Sequence, residues 1–426
     1  MNKKRIKVKS TSLTNILIVL LFAFASLDLF QYEGRTFFFY IGLIFTAYVI
    51  IVKNRGKLYL INDYLIVAIF LEFFLSGIFA QMGDMDAVYK KTAIVMPLLV
   101  LPIYFEAGLF NTMLCENRHV INWIIKGLKI ACCVQFVYIP IQYIVYHVGG
   151  VDINKLLFED TLGTVKGASF IRDWVWYPSG FTNHSAILAP LLILGIILFG
   201  NAYFRSLILL DAFISGSSSA IVGVCVTLFL LFFSGMLDRN RTNKVKKTAV
   251  LSVAAIAILL ALGIMYTDLL SMLIDKISYI MTRLFGDSKD SSTSAHLLYF
   301  YKYPYVFSKN TIIQNLFGCG YGCSGNIFSI LDNRVNIGSW SVESEIMDRI
   351  YSLGIVGFVL YYIFLIRILV KGYRIDRRYT IILIAIIIQG FGYNLQWDYV
   401  FLIEMIFYLC VKKEINFLNI FRLFRK

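Results

Sequence analysis

The chain has 426 residues, of which 59% are hydrophobic and 15% charged, and its mean hydropathy is +0.73. A soluble protein of this length would normally hold two or three domains, whereas this composition is typical of a protein dissolved in lipid. The formal net charge of +14 could suggest a nucleic-acid partner, but the lysines and arginines lie in short clusters beside apolar runs. This distribution is typical of basic loops retained in the cytoplasm, and it argues against nucleic-acid binding.

Apolar runs of about 20 residues, the length that crosses a bilayer as a helix, recur along the chain. We predict twelve spans: 13–30, 36–52, 58–79, 92–110, 123–147, 185–200, 204–216, 219–237, 248–266, 350–370, 379–394 and 399–411. The stretch 185–237 could hold two long helices or three short ones, and three restore the parity that places both termini in the cytoplasm. The basic start MNKKRIKVKS resembles a signal peptide, but the many later spans favour an uncleaved first span. The predicted fold is therefore all-α, a polytopic membrane helix bundle forming one integral membrane domain over residues 1–426.

The positions of the basic residues along the chain agree with this topology. With both termini inside, the basic clusters at 53–57, 239–247, 371–378 and 412–413 all lie in the cytoplasm, as the positive-inside rule requires. Two long extracytoplasmic loops follow, at 148–184 and 267–349, and long loops on a rigid scaffold often carry function. Acidic residues inside spans are costly in lipid, so they are expected to face the bundle interior: Asp28, Asp63, Glu72, Asp211 and Glu404. Asp28 and Asp63 could instead lie near span ends.

A glycine-rich segment, NLFGCGYGCSG from Asn315, lies in the second outer loop. Gly318, Gly320 and Gly322 could let backbone amides bind an anion such as a phosphate, but a tight turn is the more common role of such a segment. Cys319 and Cys323 in the same segment could pair or stay reduced. They have no histidine or cysteine neighbours at zinc spacing, so no metal and no other cofactor is predicted.

Charged residues gather where the second outer loop meets the tenth span, in the segment SVESEIMDR. Glu345 and Arg349 form an i,i+4 pair on one helix face, with Glu343 close by. These acids could simply stabilise the start of a helix. Alternatively, a carboxylate could act as a general base beside an arginine that binds phosphate. The outer loops also contain Arg172 and Arg283, whose forks suit a pyrophosphate, and His296, which could act as an acid or base.

Three segments together resemble the Wzy-type O-antigen and capsule polymerases, within the O-antigen ligase and polymerase superfamily. They are YPSGFTNHSAILAPLLIL from Tyr177, LLDAFISGSSSAIVGVCVTLFLLFF from Leu209, and NLFGCGYG followed by SVESEIMDRIYSLGIVGF. The segments cover about a quarter of the chain, and their order and placement relative to the loops also match. Two departures argue against a ligase: the turn GSSSA has no arginine, and Glu343 to Glu345 stand where ligases often have His-Asn.

The resemblance implies a membrane-embedded glycosyltransferase at the outer face of a bacterial plasma or inner membrane. Its substrates would be oligosaccharides linked to undecaprenyl pyrophosphate, and a chain-length regulator and a flippase could be protein partners. Arg172 and Arg283 would bind the pyrophosphate, Glu345 would be the base with Glu343 as its substitute, and His296 would contact the acceptor or act as an acid. A flippase or other transporter of the same lipid-linked units is the main alternative, although the chain shows no internal repeat.

Overall fold

The computed structural model describes residues 2–32, 35–53, 63–82, 87–165, 168–172, 175–182, 184–237, 300, 303–325, 342, 344–392 and 398–415. Within these ranges the protein is mostly helical, which confirms the all-α class. The helices are α1 Asn2–Ala23, α2 Phe37–Tyr48, α3 Tyr64–Ala80, α4 Ala87–Glu116, α5 Val120–Gly149, α6 Ala189–Leu198, α7 Ala202–Ile214, α8 Ser218–Leu237, α9 Ile312–Phe317, α10 Glu345–Ile375, α11 Arg377–Gly392 and α12 Asp398–Lys412. The ninth predicted span, 248–266, lies outside the described residues.

Three of the described helical segments are long and apolar enough to cross a membrane: Lys90–Glu116, Val120–Gly149 and Glu345–Ile375. Shorter apolar helices surround them, and many large apolar side chains point away from the protein, such as Ile51 at 70% and Ile44 at 59% exposed. Exposed apolar surface of this extent is unusual in a soluble monomer and is typical of a lipid-facing surface. Membrane character is therefore supported, while the full set of twelve spans stays a prediction.

The stretch 185–237 holds three helices, as the three-helix alternative predicted. A short 3₁₀ helix at Ser185–Leu188 leads into α6, and α7 and α8 follow after brief turns. Asn201 caps α7 by accepting a hydrogen bond from the amide of Tyr203 at 3.1 Å, and Gly216 at φ +67 reverses the chain before α8. All residues of α6 are buried, which places this helix at the centre of the bundle.

The helices form one connected core. The first helix, α1, packs on α5 and α2, while α4 packs on α3, α2 and α12; α11 packs on α8, α6 and α10, and α10 also packs on α3, α9 and α12. Among the described residues, the strands form two antiparallel hairpins of two-residue strands, β1 Gln31–Tyr32 with β2 Arg35–Thr36, and β3 Ile171–Arg172 with β4 Val175–Trp176. The α3, α10, α11 and α12 helices meet around the charged residues described below.

Candidate functional site

The site is built on a sharp break in α10. Gly354 has φ 66° and ψ −173° inside the helix, a combination available in practice only to glycine. In a straight helix the Cα atoms of Glu345 and Tyr361 would stand about 24 Å apart, yet the Tyr361 hydroxyl lies 3.1 Å from Glu345 Oε1. The two halves of α10, 345–353 and 355–375, therefore fold against each other. The tenth span predicted at 350–370 contains this break near its start, because Gly354 permits the turn.

The glycine-rich segment closes the end of the first half of α10. The amides of Cys319 and Gly320 donate to the carbonyl oxygens of Tyr351 and Ser352 at 3.0 and 3.1 Å. A Cβ atom on Gly318 would lie 2.1 Å from the Ser352 oxygen, so only glycine allows this approach. The segment thus satisfies carbonyl groups that a helix end leaves without partners. These two amides are engaged within the protein, and the tight-turn interpretation accounts for them.

The two cysteines of this segment are not joined by a disulfide. Both are buried, and burial raises the pKa of Cys319 and of Cys323 to about 12. The thiols therefore remain protonated near neutral pH, which makes them poor nucleophiles and poor metal ligands. No group of three or more metal-binding side chains occurs in the described part of the chain.

Asp348 connects the segment to the first half of α10. Its Oδ1 atom accepts a short hydrogen bond from the Ser324 hydroxyl and a second one from the Ser352 hydroxyl at 3.2 Å. The Ser324 oxygen in turn accepts from the amide of Val342 at 3.0 Å. Asp348 is fully buried, and this network fixes one of its two oxygens, so the half-helix is held in a single orientation.

Arg349 lies at the centre of the site and is 2% exposed. Its Nη2 atom is 3.5 Å from Glu345 Oε1, so the i,i+4 pair predicted from the sequence is confirmed. The guanidinium also lies 4.5 Å from the centre of the Tyr361 ring and 5.9 Å from that of Tyr321, at distances suited to cation–π attraction. Its Nε and Nη1 atoms have no hydrogen-bond partner among the described residues.

Two further buried carboxyl groups come from helices packed against α10. Glu404 of α12 places Oε2 2.8 Å from the Tyr361 hydroxyl, which also contacts Glu345. Glu72 of α3 is also buried, and it packs so closely that a Cβ atom on Gly357 would lie 2.7 Å from its Cγ. The site therefore combines three buried carboxyl groups, those of Glu345, Asp348 and Glu404, with one guanidinium, and Glu72 lies against the second half of α10. Such an arrangement is costly in an apolar bundle and usually has a function.

No protein-family model matches this chain, and no curated protein matches it either.

The remaining predicted site residues have different outcomes. Arg172 lies in β3, opposite Val175. Glu343, His296 and Arg283 lie outside the described residues. The prediction that acids within spans face the interior is confirmed for three residues at or below 3% exposure, Glu72, Asp211 and Glu404. Asp28 is buried in the turn that follows α1, and Asp63 is the N-cap of α3, so both occupy the span-end position predicted as the alternative.

The segment 148–184 is also fixed by buried side chains. The amides of Gly180 and Phe181 donate to the side-chain oxygens of Gln142 and Gln135 at 2.8 and 2.9 Å. The Asn154 amide group donates to the Gly180 oxygen at 2.8 Å. Gly180 has φ +63°, so this turn of the Ser-Gly-Phe-Thr segment depends on glycine and on two glutamines of α5.

Sequence analysis missed the aromatic and hydroxyl members of the site, Tyr321, Tyr361, Ser324 and Ser352. Nothing distinguishes Tyr361 from the other tyrosines among the 27 in the chain. The available signal was Gly354, since a glycine within an apolar span can indicate a break and hence a place where polar groups collect. Glu404 was expected in the interior, but only the fold brings it to Glu345.

Proposed function

We propose that this protein is a polysaccharide polymerase of the bacterial plasma or inner membrane, with both termini in the cytoplasm. It transfers a growing glycan from undecaprenyl pyrophosphate onto the sugar hydroxyl of a lipid-linked repeat unit. The buried pair of Glu345 and Arg349, held at the break of α10, is the observation that carries this proposal. The sequence segments that resemble Wzy-type polymerases support it, since one of them contains both residues.

Arg349 has the properties of a pyrophosphate-binding residue. One edge of its guanidinium is used by Glu345, and Nε and Nη1 have no partner among the described residues. A buried guanidinium with unused donors is unfavourable, and separate oxygens of a pyrophosphate group would satisfy Nε and Nη1 through charge-assisted hydrogen bonds. Positive charge here would also stabilise the pyrophosphate as the glycosidic bond to it breaks.

Glu345 is positioned to act as the base. Its Oε1 atom accepts from Tyr361 and faces Arg349, while a pyrophosphate bound at Nε and Nη1 would share the positive charge of that guanidinium and so partly release the carboxylate. The released carboxylate would accept the proton of the acceptor hydroxyl as the hydroxyl oxygen bonds to the anomeric carbon. Binding of the donor would thus activate the base.

The test adds purified protein in detergent to undecaprenyl-pyrophosphate-linked repeat units from its own host, followed by gel analysis of the glycolipids. Wild-type protein is expected to give a ladder and to release undecaprenyl pyrophosphate. Glu345→Gln should lower kcat by about 10²-fold or more, since it removes a general base. Arg349→Lys keeps the charge but loses the fork, and should lower kcat/KM by roughly tenfold or more.

Asp211→Asn is the matched control for these variants. Asp211 is another fully buried carboxyl group, on α7, which packs on α5, α6 and α8. This variant should give the wild-type ladder. A wild-type ladder from Glu345→Gln as well would remove Glu345 from the mechanism.

Transport of the same lipid-linked unit is the second candidate, and the broken helix favours it. Interrupted helices and buried acids that exceed the available positive charge are typical of transporter binding sites. Three carboxyl groups near Arg349, with the buried Glu72 on the neighbouring helix α3, fit that description. Movement of the lipid-linked unit across vesicles that contain the purified protein, with no ladder formed, would establish transport and exclude polymerisation.

A further inference from the structure

The Tyr361 hydroxyl lies between two carboxyl groups that belong to different helices. It is 3.1 Å from Glu345 Oε1 on the first half of α10 and 2.8 Å from Glu404 Oε2 on α12. All three side chains are buried, at 6% exposure or less. A phenol has one proton, so it donates to one carboxylate at a time, and the other contact is a hydrogen bond only when that carboxyl group is protonated and donates to Tyr361 Oη.

We infer that Glu404 receives the proton that Glu345 abstracts, by way of the Tyr361 hydroxyl, and so acts as a positioning and proton-relay residue for the base. This inference rests on the proposed polymerase function and extends it to a residue on a separate helix. It assigns a role to Glu404, a buried carboxyl group of α12 that lies beside the negatively charged Glu345.

The acceptor hydroxyl oxygen bonds to the anomeric carbon, and the bond from that carbon to the pyrophosphate oxygen breaks, so the electron pair leaves with the pyrophosphate. The acceptor proton passes to Glu345. The Glu345 proton then passes to Tyr361 Oη while the Tyr361 proton passes to Glu404, which leaves Glu345 ionised and Tyr361 neutral. The proton returns along the same path to water that replaces the product.

The relay also has an electrostatic reason. Arg349 lies near both carboxyl groups and over the Tyr361 ring at 4.5 Å, so its positive charge stabilises a negative charge on either side of the phenol. The excess negative charge around this guanidinium can therefore be held at Glu404 or at Glu345, depending on where the proton lies. Transfer between them changes the position of the charge and not its amount.

Two substitutions separate a relay from simple positioning. Glu404→Gln keeps an oxygen that accepts the Tyr361 hydrogen bond but cannot take up a proton. Tyr361→Phe keeps the ring over Arg349 and removes the hydroxyl. In the polymerisation assay, each is expected to lower kcat roughly tenfold or more without raising KM for the lipid-linked donor, and Asp211→Asn should behave as wild type.

The outcomes are distinguishable. If Glu404→Gln retains the wild-type kcat, Glu404 does not receive the proton and the inference is overturned, while the polymerase function stands. If wild-type protein forms no ladder, the proposed function fails and the relay fails with it. If Glu404→Gln cannot be purified, Tyr361→Phe is the test of the relay. An unchanged kcat for Tyr361→Phe overturns the relay, and a reduced kcat with unchanged KM supports it.

Discussion

Replacing Gly354 by alanine is expected to destabilise the turn that folds the two halves of α10 together. The residue has φ 66° and ψ −173°, and a non-glycine residue there costs about 1–3 kcal/mol of backbone strain. The new Cβ atom would also lie 2.4 Å from both the Gly318 nitrogen and the Leu316 oxygen. Both are backbone atoms and cannot rotate away, and forced repacking of this kind costs about 1–3 kcal/mol.

Together these effects amount to about 4 kcal/mol, or roughly a thousandfold change in the folding equilibrium. The assay is thermal unfolding in detergent, followed by intrinsic tryptophan fluorescence. Gly149→Ala is the control, because Gly149 ends α5 and an added methyl group meets no atom within 4 Å. The control should melt like wild type or slightly higher. Equal melting of Gly354→Ala and wild type would refute the broken helix.

Two further changes test other parts of the fold. Asp63 caps α3 and bonds Lys412 at 3.1 Å, so Asp63→Ala should lose about 1 kcal/mol more stability than Asp63→Asn, which keeps the cap. Burial would raise the pKa of Asp63, but hydrogen bonds from Tyr408 and Lys412 outweigh burial and hold the pKa below 3.8. The ionised carboxylate therefore contributes its full stabilisation above the pKa of the unfolded chain. That stabilisation is lost as the pH falls through the lower pKa of the folded protein. Melting of both Asp63 variants should lack this acid-dependent loss, and a wild-type acid profile in Asp63→Asn would contradict the assignment. Gln142→Leu leaves the Gly180 amide without its acceptor and should cost about 1–3 kcal/mol, and wild-type melting would show that the turn does not depend on it.

Some features of the site could be predicted because they depend on short-range spacing. Glu345 and Arg349 are four residues apart on a helix, so they share a face wherever that helix goes, and the ion pair is present. The acids within apolar runs are buried because charge facing lipid is costly, whatever the arrangement of the helices. Three short helices in 185–237 followed from apolar length and the placement of basic clusters.

Other features depend on contacts between distant parts of the chain. Gly354 could be seen as a glycine in an apolar run, but its conformation exists because Gly318 and Leu316 pack against it. Glu404 and Glu345 are 59 positions apart in the sequence. They meet only because α12 packs on the folded halves of α10.

The sequence by itself determined the apolar, helical character of this protein, the burial of its acids and the local pairing of Glu345 with Arg349. Composition and spacing suffice for these properties, because burial of apolar surface and the helical repeat act over a few residues. Only the tertiary structure decided that α10 is broken, that the glycine segment closes its first half, and that Tyr361 links Glu345 to Glu404. Those contacts arise from the packing of helices whose order in space no local pattern encodes.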